Sequence, residues 1–445
     1  MGAVRFSLGI LMALALLSVA PASGFSLWPF GKKKVPPPTN RTPTDPRSVP
    51  KEEPAAVDTP SVERLERLAK QGGSGAQLAL GKLYFEGTAG VEKDLEKAVY
   101  WFQKAADQGD PRARFNLAVC YDGGLGVPKD LQKAMDLYRQ AADQDVPEAQ
   151  LNLAIMLEER GQYADALTYY RRLAERRGHT GAMRRAADLL LTGKAGVKQP
   201  AEAVRFLKAA AERGDSRAQV RLADCYQRGE GVATDYKETF ALLTLAAQDG
   251  DPEAQAKLAY CYAKGIGTAP NSDIAVAWYE RSALAGYAPG QVALGNCYLQ
   301  GEGTERDVKT SAEWFRKAAD QGDAMGQFSL GVAYELGRGV EADPTAAVEW
   351  YRRSAEQGYA LAQYNLGVAC QEGRGLVQDV DEAARWFAAA AQQGSPEALV
   401  ALGNCLLHGR GVPTDRDKAH ECFARAAKLG SRAAAEALKA HFGES

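Results

Sequence analysis

Ala312-Glu313-Trp314-Phe315-Arg316-Lys317-Ala318-Ala319-Asp320-Gln321-Gly322 is one copy of a phrase that returns around Trp278, Trp350 and Trp386, each 36 residues from the next. Alanines, an aromatic pair and a closing glycine at helical spacing read as the second helix of a small unit. A unit of this size cannot bury its apolar face alone, so it must stack on its neighbours, and the period sets the architecture. Working outward, leucines at 80, 117, 153, 222, 258, 294, 330, 366 and 402, with Ala186 in the same slot, mark ten units. The expected fold is all-α, a right-handed α/α superhelical solenoid of about ten helical-hairpin repeats.

Each unit opens with a first helix of the form Ala-Gln-x-x-Leu-Gly-x-x-Tyr, as at Ala362 to Gly367. Gly337-Arg338-Gly339-Val340 shows how that helix stops, because glycine accepts the left-handed backbone of a helix end. An aspartate follows, at Asp94, Asp130, Asp235, Asp273, Asp307, Asp343, Asp379 and Asp415, placed to cap the second helix. In the aromatic pair, Trp350 and its equivalents are expected to be buried anchors. Unit three departs from the pattern: Glu159-Arg160-Gly161-Gln162-Tyr163 lacks the Gly-x-Gly-Val loop.

The N-terminus carries Arg5, an apolar run from Phe6 to Ala20 and small residues at Ala20, Ala22 and Gly24, which is a secretory signal pattern over 1–24 with cleavage after Ala22 or Gly24. The run is shorter than the roughly 20 residues of a bilayer-spanning helix. An uncleaved anchor is the alternative, and membrane contact is expected only in that case. Residues 25–60 are proline-rich and have no apolar period, so they read as a disordered linker. The solenoid then covers 61–445, as a half-repeat at 61–74, repeats over 75–431 and a capping helix at 432–445.

The loop and alanine signature over 75–431 resembles the Sel1-like repeat family, relatives of tetratricopeptide repeats. That resemblance implies an adaptor that holds protein or peptide partners, in a family with secreted and envelope-associated members. Some secreted members carry a disulfide in every repeat, and this chain lacks those cysteines.

The seven cysteines argue for packing rather than a disulfide framework. Cys225, Cys261 and Cys297 recur at the repeat period, and stacked helices about 8–10 Å apart hold such residues beyond the roughly 7 Å that a disulfide tolerates. Cys405 and Cys422, on the two helices of one unit, are the one pair placed for a bridge. With 54 basic and 56 acidic residues the chain offers no net charge to attract nucleic acid. None of its four histidines is set as His-Glu-x-x-His, and Ser48-Val49-Pro50-Lys51 sits in the linker with no element to aim the serine. No catalytic residue, metal ligand or cofactor is assigned.

The remaining candidate surface is the concave side, which the first helices line in helical-hairpin solenoids. Residues two before and two after the central leucine point away from the packing seam. The candidate partner-binding set is Arg184, Asp188, Asp224, Tyr260, Val292, Asn296, Phe328, Val332, Tyr364 and Val368, with packing against the next repeat as the competing reading. Phe328 and Tyr364 are expected to project side by side. The functional expectation is an exported, extracytoplasmic adaptor for a protein or peptide, without chemistry of its own. The alternative is an envelope enzyme acting on peptidoglycan or β-lactams.

Overall fold

The computed structural model describes residues 62–88 and 90–443. The signal pattern, its cleavage after Ala22 or Gly24 and the linker lie outside the described residues. Among the described residues there are 22 helices and no strand, an all-α repeat solenoid. They fall into two compact units, 62–235 and 236–443.

Local chemistry explains why the hairpins form. Asp94, Asp130, Asp307, Asp343, Asp379 and Asp415 each accept backbone N–H bonds at the start of a second helix, as expected. Asp273 is an exception. Asn271 takes the cap by accepting from the Ile274 N–H, and Asp273 becomes a first-turn residue. First helices are capped too, by Asp110, Asp215, Asp251 and Asp323 and by Ser395, a feature the loop pattern did not announce.

The second glycine of the Gly-x-Gly loop has a different task from the first. Gly337 ends its helix at φ 62, as read from the sequence. Gly339, at φ +73, lies against the Val308 carbonyl, which opens the second helix of the preceding repeat, and any Cβ there would collide with it. Gly303 against Ser272, Gly375 against Pro344 and Gly411 against Val380 repeat this contact in the C-terminal unit. In the N-terminal unit, Gly126 meets Leu95 and Gly231 meets Pro200. Unit three has no such loop. There Arg160 reaches back in its place, donating to Gln132 at 3.2 Å beside the Met135 sulfur at 3.3 Å. At that same junction Asp145 stands at φ 63, where other units carry glycine, with Gln150 and Arg177 each bonded to its carboxylate at 3.0 Å.

Repeats are also joined by a buried glutamine ladder. Gln291, Gln327 and Gln363 of the first helices each donate through Nε2 to an alanine carbonyl of the preceding second helix. Their Oε1 atoms accept from Gln321, Gln357 and Gln393 at 2.8, 2.8 and 2.9 Å. Ala285 occupies the corresponding donor position for Gln255, whose buried Oε1 has no hydrogen-bond partner. Leaving an acceptor in that state costs stability.

The aromatic pair corrects one expectation. Its second member is the anchor: Tyr279, Phe315, Tyr351 and Phe387 are 8, 2, 2 and 1% exposed. Trp278, Trp314, Trp350 and Trp386 are only half-buried. Arg281, Lys317 and Arg353 lie over the first three indoles at 4.4, 3.6 and 4.5 Å from the ring centre. Adjacent helical residues point about 100° apart, so only one of the pair can face the seam.

All seven cysteines are free, and the bridge between Cys405 and Cys422 is not formed. Cys405 packs in a cluster with Ala383 and Phe387 of the preceding repeat, whereas Cys422 packs with Leu399, Phe423 and Leu438. Burial pushes the Cys297 thiol up to about 12, far from the thiolate that reactive cysteines need.

Candidate partner-binding face

The first helices present the predicted set unevenly. Phe328, Val332 and Val292 are 2, 1 and 2% exposed, so their assignment to an open wall is corrected: they are core residues. Phe328 has ring centroids 5.8 Å from Tyr351 and 5.3 Å from Tyr359, the residue that leads into the next first helix. Val332 belongs to the same cluster, which Tyr364 and Val368 partly cover from the following repeat. Val292 packs with Phe315 and Leu330. The next repeat's first helix therefore sits over Phe328, which does not project beside Tyr364.

Tyr364 and Val368 are half-buried, with the Tyr364 ring 5.9 Å from Phe387. Beside them, Asn365 is half-buried and Asn404 exposed. Tyr260 is half-buried, and the Lys264 ammonium stands 5.8 Å from its ring centre. The Oδ1 of Asn296 is buried without a hydrogen-bond partner.

In the N-terminal unit this face is ionic. Arg184 pairs with Asp215 at 3.7 Å and Asp188 with Arg221 at 2.7 Å, while Asp224 is half-buried. Arg185 pairs with Glu158 at 2.9 Å, one repeat back. Such pairs mutually neutralise, so this stretch is a polar wall rather than a field of one sign.

A second set of residues on these helices escaped the sequence reading. At the anchors Tyr138, Tyr170 and Tyr351 an acid stands at the end of the same hairpin's first helix and a polar side chain of the next repeat joins it, whereas the hairpin anchored by Tyr279 carries Ala263 in that slot. Tyr351 donates to Glu335 at 2.6 Å, and Arg374 pairs with the same carboxylate. Tyr170 donates to Glu158 at 2.8 Å, and Arg185 completes that group. Tyr138 accepts from Asn152 at 3.1 Å, with Asp122 beside it. Burial, reinforced by the Glu335 charge, drives the Tyr351 phenol well above its ordinary value, and burial pushes Tyr138 up to about 12. These hydroxyls therefore stay protonated and serve as structural donors or acceptors. A signal was available in the chain itself. Repeats anchored by Phe102, Phe315, Phe387 and Phe423 carry Phe85, Leu299, Gln371 and Leu407 in the acid's slot.

Among the described residues, no group of three or more His, Cys, Asp or Glu side chains is placed to hold a metal ion. No described helix is long and apolar enough to cross a membrane.

Comparison with known proteins matches the family description "Sel1 repeat" ten times, over 74–110, 111–146, 147–176 and seven further stretches from 180–215 to 396–431. The short third hairpin is matched with the rest. Among solved structures, a protective antigen of uropathogenic Escherichia coli strains, described as displaying an SLR fold, is 31% identical with a TM-score of 0.53; 84% of this chain and 89% of that chain are covered. A Sel1 repeat protein from Oxalobacter formigenes is 26% identical with a TM-score of 0.49, covering 85% of this chain and 89% of that one. Among curated proteins, the ERAD-associated E3 ubiquitin-protein ligase component HRD3A of Arabidopsis thaliana is 39% identical over 57 residues, 13% of this chain. That match spans only 8% of the plant protein's length.

Proposed function

The chain belongs to the Sel1 repeat family, and from that premise we propose that it is an exported adaptor that holds a protein or peptide partner on its first-helix face, without chemistry of its own. Sel1 repeat proteins generally mediate protein–protein interaction and are typically non-catalytic. The observation that carries the location is what packing leaves partly open: Tyr364 and Val368 on one first helix and Asn404 on the next form a mixed aromatic, aliphatic and amide strip. Aromatic anchors with neighbouring hydrogen-bonding groups are the composition of a binding hot spot. The signal pattern at 1–24 supports export, and with export the partner is one of the periplasm or the cell exterior.

A photo-crosslinking amino acid at position 404, 368 or 385 tests the surface in cells. Position 385 lies on an exposed second-helix site. Adducts identified by mass spectrometry should form from 404 and 368 and not from 385. Equal crosslinking from all three positions, or from 385 alone, would move the surface elsewhere. Fractionation tests export separately: protein beginning at Met1 in the cytoplasm would end that part of the proposal.

A further inference from the structure

We propose that His408 and His441 form a site for one imidazole-preferring divalent transition-metal ion, of the zinc, copper or nickel class, that ties the terminal helix to the last hairpin. His408 is the last residue of the helix Pro396–His408, and His441 lies in the last turn of the helix Arg432–Phe442. The two rings are 6.1 Å apart between centroids at an interplanar angle of 83°, and both residues are exposed.

With metal–nitrogen bonds of about 2.0–2.1 Å, two imidazoles on one ion have centroids about 5 Å apart at a tetrahedral angle and about 6 Å apart when trans. The observed separation falls at the upper end of that range. Both side chains are exposed, so neighbouring packing does not oppose their turning toward a common ion.

The helix ends contribute a local field as well. Both helices end here, in left-handed glycines at Gly409 and Gly443. The unpaired carbonyls of a helix C-terminus carry roughly half an electron of negative charge, which favours a cation. At the second of these ends the Arg416 guanidinium already donates to the His441 carbonyl and covers the Phe442 ring at 4.7 Å. His420 lies against Phe442 from the other helix of the last hairpin, with centroids 4.9 Å apart.

The donor set decides the class of ion. Two neutral nitrogens suit zinc, copper and nickel, whereas calcium and magnesium need several oxygen ligands. Since no third protein ligand of the His, Cys, Asp or Glu type groups with them among the described residues, water completes the coordination.

The test uses the full chain without a histidine tag. Zinc titrated calorimetrically should bind once per chain, in the micromolar range. His408→Ala or His441→Ala should each weaken binding by about tenfold or more, which is about 1.4 kcal/mol or more. His179→Ala and His420→Ala should leave it unchanged. Copper(II) bound to the parent should show hyperfine coupling to two nitrogens in its electron paramagnetic resonance spectrum, a readout that needs no variant. Absence of zinc binding below about 1 mM, binding unchanged in both single variants, or coupling to a single nitrogen would overturn the proposal.

Discussion

The first-helix face is one surface in sequence register and two surfaces in chemistry. In repeats 180–215 and 216–251 the positions two before and two after the central residue hold Arg184, Asp188, Val220 and Asp224; Arg184 and Asp188 form ion pairs, the latter with Arg221 of the next repeat, while Val220 is buried. In repeats 324–359 and 360–395 the same positions hold Phe328, Val332, Tyr364 and Val368, and the following repeat covers the first two. A charged side chain keeps its head in water and leaves the position open, whereas an aromatic at the same position draws its neighbour down on it. A charged residue keeps its position on the wall, whereas an apolar one is wall or core according to how closely the next repeat approaches, as Val332 (buried) and Val368 (half-buried) show at one register position.

The most forceful way to break this comparison is Phe328→Ala. Truncating a buried phenylalanine costs about 3–5 kcal/mol, so the variant should show a large loss in denaturant or thermal unfolding. A melting curve close to the parent's would return Phe328 to the open wall.

Next in size is the loop glycine that joins the apolar repeats. Gly322→Ala and Gly339→Ala both force alanine into the left-handed region, at about 1–2 kcal/mol. Only Gly339 also abuts the preceding helix, so its variant should lose roughly a further 1–3 kcal/mol. Equal losses for the two would show that the loop contact contributes nothing.

A smaller effect sharpens the rule for the tyrosine groups. Asn116 holds the position from which Asn152 bonds Tyr138, but the anchor before it is Phe102, and the Asn116 Nδ2 is buried without a partner. Phe102→Tyr should supply that acceptor and raise stability by about 0.5–1.5 kcal/mol, measured as a shift in the urea midpoint. Destabilisation would mean that the hydroxyl does not reach the amide.

The smallest expected effect lies on the ionic side. Asp188→Asn removes one partner of a half-exposed pair and should change stability by no more than about 1 kcal/mol, less at high salt. A loss as large as that of Phe328→Ala would erase the distinction between the two stretches.

Much of this structure was legible beforehand because its determinants are local. The left-handed turn at Gly337 needs only glycine, and the caps at Asp307 and Asp343 need only a short carboxylate before a helix. Asp273 was misread for an equally local reason. Asn271, two residues earlier, offers the backbone the same bond, and the two candidates compete for one helix start. Tyr364 and Val368 were read as facing an open wall; they are half-buried, and that partial exposure depends on how closely the next hairpin approaches.

What the sequence determined by itself is therefore the period, the number of hairpins, the ends of their helices and the family that uses them. Tertiary structure alone decided which member of each aromatic pair is the anchor, that Phe328 and Val332 lie beneath the following repeat, and that His408 and His441 meet at the chain's last helix ends. The physical reason is that the pattern along a helix fixes the angle at which a side chain leaves it, while burial and proximity depend on what the neighbouring helix brings to that angle.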